Sequence, residues 1–196
     1  MARRPPKETI PKDPRAPKPF YLTPLEVYSL MEAARATDFA AGLALMLFAG
    51  LKAEVLSSES NTPLSWNAID CSQRTLSIPT TLNQRPVIHC IEHAPNNLWR
   101  WLEYTHRKSG PICEHSVATL HTFCETHVKR ALSKNALRDS FIVHYLALKK
   151  DLTLTAKILG YHGRLSVLQR YYSDLVPIQQ ALDYFDTYPE TPDIIE

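Results

Sequence analysis

KNALRDSFIVHYLALKKDLTLTAKILGYHGRLSVLQRYYSDLV, residues Lys134 to Val176, is the stretch on which the reading of this chain turns. It holds an arginine near a helix start (Arg138), a Leu159-Gly160-Tyr161-His162 turn some twenty residues on, and the tyrosine pair Tyr171 and Tyr172 about ten residues beyond that turn. A guanidinium, an imidazole and a phenol are together competent for phosphoryl transfer on a nucleic-acid backbone without a metal, provided the fold brings them to one phosphate.

In order and spacing these blocks resemble the catalytic domain of the tyrosine recombinases (phage integrase family), whose pattern reads H-x-L-R-H-[ST]-F, then L-G-H, then a nucleophilic tyrosine nine or ten residues later. The first block here is Asn135-Ala136-Leu137-Arg138-Asp139-Ser140-Phe141, the second Leu159-Gly160-Tyr161-His162, and the third Gln169 to Val176. The third also resembles a bacterial subgroup ending in R-H-Y-R-E-L-V, which favours Tyr172 over Tyr171 as the nucleophile position. Further upstream, Gly50-Leu51-Lys52-Ala53-Glu54-Val55-Leu56 resembles the family block G-L-R-x-x-E-L, with Lys52 where the family carries an arginine on the scissile phosphate.

The resemblance implies a mainly helical fold with a small antiparallel β-sheet, covering about Leu22 to Val176. It implies site-specific DNA recombination or integration through a 3′-phosphotyrosyl intermediate, without a cofactor or metal. Its catalytic set would be Tyr172 or Tyr171, Arg138, His162 and Lys52, His162 serving if the turn is offset by one residue. Four positions depart from the pattern: Lys52 for arginine, Asn135 and Asp139 for the two histidines, and no lysine between Lys52 and Lys108 to act as the hairpin general acid. Lysine keeps the charge and loses the bidentate fork that matches a phosphate. Losing one transition-state donor costs about a hundredfold or more in rate. The alternative is therefore a DNA-binding or protein-interaction module of recombinase descent that no longer cuts.

Bulk properties fit one domain with tails. The chain has 196 residues, 44% of them apolar. Residues 1–19 carry six basic groups and six prolines against Glu8 and Asp13, an extended arm suited to phosphates through Arg3, Arg4, Arg15 and Lys18. From Asp174 to Glu196 there are six acidic groups and no Lys or Arg. Expected divisions are an arm at 1–19, a body at 20–185 and an acidic tail at 186–196. The expected partner is double-stranded DNA, with a homo-oligomer on DNA through the C-terminal segment as a family-implied addition. No apolar run approaches the roughly 20 residues that span a bilayer. Cys71, Cys90, Cys113 and Cys124 form no CxxC pair, so a cytoplasmic location with reduced thiols is expected. His121, Cys124 and His127 are ligand types, but spread around one helix they do not converge on a metal.

Local signals supply the elements. Thr23-Pro24-Leu25-Glu26 is a capping box with proline at the first helical position. Phe39 to Phe48 is apolar all round, a buried helix stopped by Gly50. Trp66 to Asp70, Thr75 to Pro79 and Pro86 to Ile91 read as short strands. Further helices are expected at 97–108, 117–130, 137–148, 152–159, 165–172 and 179–185.

Overall fold

The computed structural model describes residues 18–60, 63–78, 87–90 (backbone alone), 95–159 and 165–189. Helix α1 (Pro24–Ala34) starts at the expected capping box: Thr23 Oγ1 accepts from the Glu26 amide at 3.3 Å, and Glu26 Oε2 accepts from the Thr23 amide at 2.7 Å. Arg130, just beyond α5 (Val117–Val128), grips the same carboxylate through Nε and Nη2 at 2.6 and 2.9 Å and lies 4.2 Å over the Phe20 ring. That bidentate pair fixes the entry of the chain into the body.

Helix α2 (Phe39–Ala49) is buried at every position from Ala40 onward, as its all-round apolarity requires. It packs against α1, against α4 (Asn96–Thr105) and against α6 (Ala136–Lys149). Gly50 caps it in the left-handed conformation, φ 67°, and a Cβ there would stand 2.5 Å from the Phe141 ring. Only glycine satisfies both conditions. The next helix, α3 (Ala53–Leu56), is a single turn that begins directly after Lys52.

The expected sheet is present: β1 (Ile69–Asp70), β2 (Thr75–Ile78) and β3 (Val87–Cys90) pair antiparallel in that order, with Ile69 opposite Leu76 and Thr75 opposite Cys90. One strand is shorter than its alternation suggested. Trp66–Ala68 forms a 3-10 turn, because the Trp66 amide donates to the Gly110 carbonyl and the Trp66 ring is buried. Burying a large aromatic side chain outweighed pairing in the ladder.

Helix α9 (Ile178–Phe185) closes the core over α6 and α1. Tyr184 donates to the Leu47 carbonyl at 2.7 Å and stacks on the His144 ring at 4.0 Å. Packed order continues past Phe185: Thr187 is buried, and its carbonyl accepts from Trp101 Nε1 at 2.9 Å. Residues 1–17 of the expected arm and 190–196 of the expected tail lie outside the described residues. Among the described residues no helix is long and apolar enough to cross a membrane. Cys71, Cys113 and Cys124 are free thiols.

Candidate functional site

On α6, Arg138 meets the ends of α2 and of the helix that closes at Leu159. The residue sits in the first turn of α6, whose neighbours Ala136, Leu137, Ser140 and Phe141 are buried, so the helix is held by its apolar side and Arg138 goes inward with it. Its side chain is only 9% exposed. Nη1 donates to the Gly50 carbonyl at 2.6 Å and Nη2 to the Leu159 carbonyl at 3.1 Å. The guanidinium therefore bridges the end of α2 to the end of α7 (Leu152–Leu159). Charged donors to carbonyls left over at helix ends are among the stronger hydrogen bonds in a fold.

Asp139 follows on the same turn and is half-buried. The Tyr172 hydroxyl, at the end of α8 (Leu165–Tyr172), donates to its Oδ1 at 2.9 Å. Burial pushes the Asp139 carboxyl above its ordinary range, opposed by the Tyr172 hydrogen bond and by the Arg138 charge. Of the two tyrosines, Tyr172 is thus the one joined to α6. Tyr171 is half-buried one residue earlier, about 100° around the helix.

Lys52 is exposed and opens α3 two residues after the carbonyl that holds Arg138. It belongs to a surface charge group. Lys134 Nζ lies 2.8 Å from Glu54 Oε1, and Glu54 is held below the usual carboxylate range first by the Lys134 hydrogen bond, with smaller help from the Lys52 charge. The Gly50 and Asn135 blocks are consequently tied twice, inside by Arg138 and outside by Lys134. Lys134 was not singled out from the sequence. Its only signal is that it directly precedes the Asn135 block.

The fold thus gathers Arg138, Asp139 and Tyr172, while Lys52 stands two residues beyond the Gly50 that holds Arg138. His162, Arg3, Arg4 and Arg15 lie outside the described residues, and Lys18 is exposed ahead of Phe20. Of three cavities of about 510, 640 and 360 Å³, the first borders the site through Lys134, Ala136 and Leu137, and none is lined by Arg138, Asp139 or Tyr172. The potential metal ligands go separate ways: His121 Nε2 meets the Leu132 carbonyl at 3.1 Å, and His127 packs on Phe123 at 4.4 Å. Among the described residues no three His, Cys, Asp or Glu side chains converge.

Chemically, the site offers a permanent cation in a dry setting, a carboxylate beside it, and a phenol bonded to that carboxylate. A phenol so placed has a proton acceptor within reach, which is what a nucleophile requires.

No family model and no curated protein matches the sequence. Among solved structures, the chain is similar to the crystal structure of XerA recombinase, with a TM-score of 0.57 and 17% identity over 86% of this chain. The match spans 64% of the XerA chain. At that identity the likeness is one of architecture: the chain has a tyrosine-recombinase-like fold.

Proposed function

We propose that this chain is a recombinase-type domain acting on double-stranded DNA, cleaving and rejoining a strand through a 3′-phosphotyrosyl bond at Tyr172. The observation that carries the reading is the approach of the Tyr172 hydroxyl, on α8, to the residue next to Arg138, on α6, at 2.9 Å. In this scheme the phenol oxygen attacks the phosphorus, and Arg138 and Lys52 offset the charge on the pentacovalent transition state. His162 supplies an imidazole. The arm residues Arg3, Arg4, Arg15 and Lys18 track neighbouring phosphates. Turnover is slow, because Lys52 lacks a fork and no hairpin lysine protonates the leaving oxygen.

The test is a nicked suicide duplex on which cleavage releases a short fragment and traps the covalent adduct. A protein–DNA adduct that disappears in Tyr172→Phe is the expected result. A second reading, DNA binding without cleavage, is favoured by one observation: two donors of Arg138 are engaged by backbone carbonyls. It predicts salt-sensitive binding and no adduct.

Both readings give the arm the same work. Deleting residues 1–19 should weaken duplex binding and flatten the dependence of log affinity on log salt, by about 0.9 for each phosphate the arm no longer neutralises. An unchanged slope would free the arm of any DNA role.

A further inference from the structure

Asp139 stands where the family pattern carries a histidine, beside a guanidinium and next to where a phosphate would have to sit. As a spectator it is a liability, since a carboxylate repels a phosphodiester. Its position says otherwise: Oδ1 is the atom that accepts the Tyr172 hydroxyl, at 2.9 Å. We infer that Asp139 is the general base that takes the proton of Tyr172 as that tyrosine attacks DNA.

The inference rests on the strand-cleavage reading above and deepens it. The atoms balance as follows. The phenol proton moves from Tyr172 Oη to Asp139 Oδ1, the Oη–P bond forms, and the P–O5′ bond breaks with its electron pair on the 5′ oxygen, which is protonated by water. In rejoining, the 5′ hydroxyl attacks and gives up its proton to water, the P–Oη bond breaks, and the Asp139 acid returns its proton to the leaving phenol oxygen. Charge favours the same order. Protonation removes the negative charge of Asp139 at the moment the phosphorus centre gains one, so the repulsion present in the resting site is relieved in the transition state. Arg138, adjacent on α6, keeps its charge throughout. Burial, which pushes the Asp139 carboxyl up, brings it closer to the phenol in basicity.

The decisive substrate is a suicide duplex with a bridging 5′-phosphorothiolate, whose thiolate leaves without a general acid, compared with the ordinary oxygen duplex. Asp139→Asn keeps the size and a hydrogen-bond acceptor for Tyr172 while removing the basicity. Thermal melting and DNA affinity are measured beside it, to separate folding and docking from chemistry. The expected result is a single-turnover rate on the phosphorothiolate duplex at least about a hundredfold below the unsubstituted protein at saturating DNA, with affinity equal or tighter because the carboxylate charge is gone. A rate within threefold, or a faster one, overturns the assignment; a faster one means that Asp139 restrains the phenol. Should the variant fail to fold, Asp139→Glu, which keeps a carboxylate, takes its place, and a rate on the phosphorothiolate duplex that does not exceed that of Tyr172→Phe overturns the assignment. If the unsubstituted protein reacts with the phosphorothiolate duplex alone, and that reaction needs Asp139, the natural strand-cleavage reading falls and the base stands. If it reacts with neither, both fall.

Discussion

Arg138→Ala should cost the fold on the order of 3 to 5 kcal/mol, a larger loss than any surface arginine would give. The reason lies in what the side chain leaves behind. The carbonyls of Gly50 and Leu159, both at buried positions, lose a charged donor at 2.6 and 3.1 Å. Each bond to a charged group is worth about 1.5 to 3 kcal/mol, and an orphaned buried acceptor adds its own desolvation cost. Arg138→Lys should recover less than half, because one ammonium on a flexible stem does not span two carbonyls at the ends of different helices. Chemical denaturation checks both variants. A loss under about 1 kcal/mol for the alanine variant would mean that the guanidinium is not a structural bridge.

The second large effect is on pH. His144 is fully buried on α6, donating through Nδ1 to the Ser140 carbonyl at 2.8 Å and lying flat on Tyr184. Burial drives its pKa down to about 4, with the Ser140 bond opposing. In the unfolded chain a histidine takes its proton near 6.5. Between those values the unfolded state binds the extra proton, so stability rises with pH there. The contribution is complete above about pH 6.5 and is lost as pH falls towards 4, on the order of 3 kcal/mol in all. Urea unfolding at pH 7 and pH 4.5 should show most of that loss, and His144→Phe, which keeps a ring against Tyr184, should remove it. Asp139, whose carboxyl burial raises, contributes with the opposite sign. The comparison is therefore cleanest in an Asp139→Asn background. Equal slopes with and without His144 would contradict the account.

Much of the architecture can be read from local chemistry. Thr23 and Glu26 close their capping box, Gly50 stops α2 with a positive φ, and the apolar run of α2 becomes the buried centre. These signals are local, so spacing suffices to find them. The 3-10 turn at Trp66–Ala68 is not local: it depends on Gly110, more than forty residues away, and alternation in 66–70 cannot report that partner.

The site divides in the same way. Arg138 and Tyr172 stand out by type and order. What holds Arg138 does not, because its partners are backbone carbonyls 88 and 21 residues distant, and every residue has one. Asp139 looks from its neighbours like a charge in the wrong place beside Arg138. Its acceptor role appears only when α8 brings a hydroxyl from 33 residues further along. Lys134 and Glu54 are likewise ordinary surface residues until the fold joins their two blocks.

The most direct measurement is the site of covalent attachment. After trapping on a nicked duplex and digestion with trypsin and nuclease, mass spectrometry of the peptide spanning Tyr171 and Tyr172 should find a nucleotide on the Tyr172 oxygen and an unmodified Tyr171. Attachment at Tyr171, or duplex bound with no nucleotide on either tyrosine, would contradict the assignment of Tyr172 as the residue that cuts DNA.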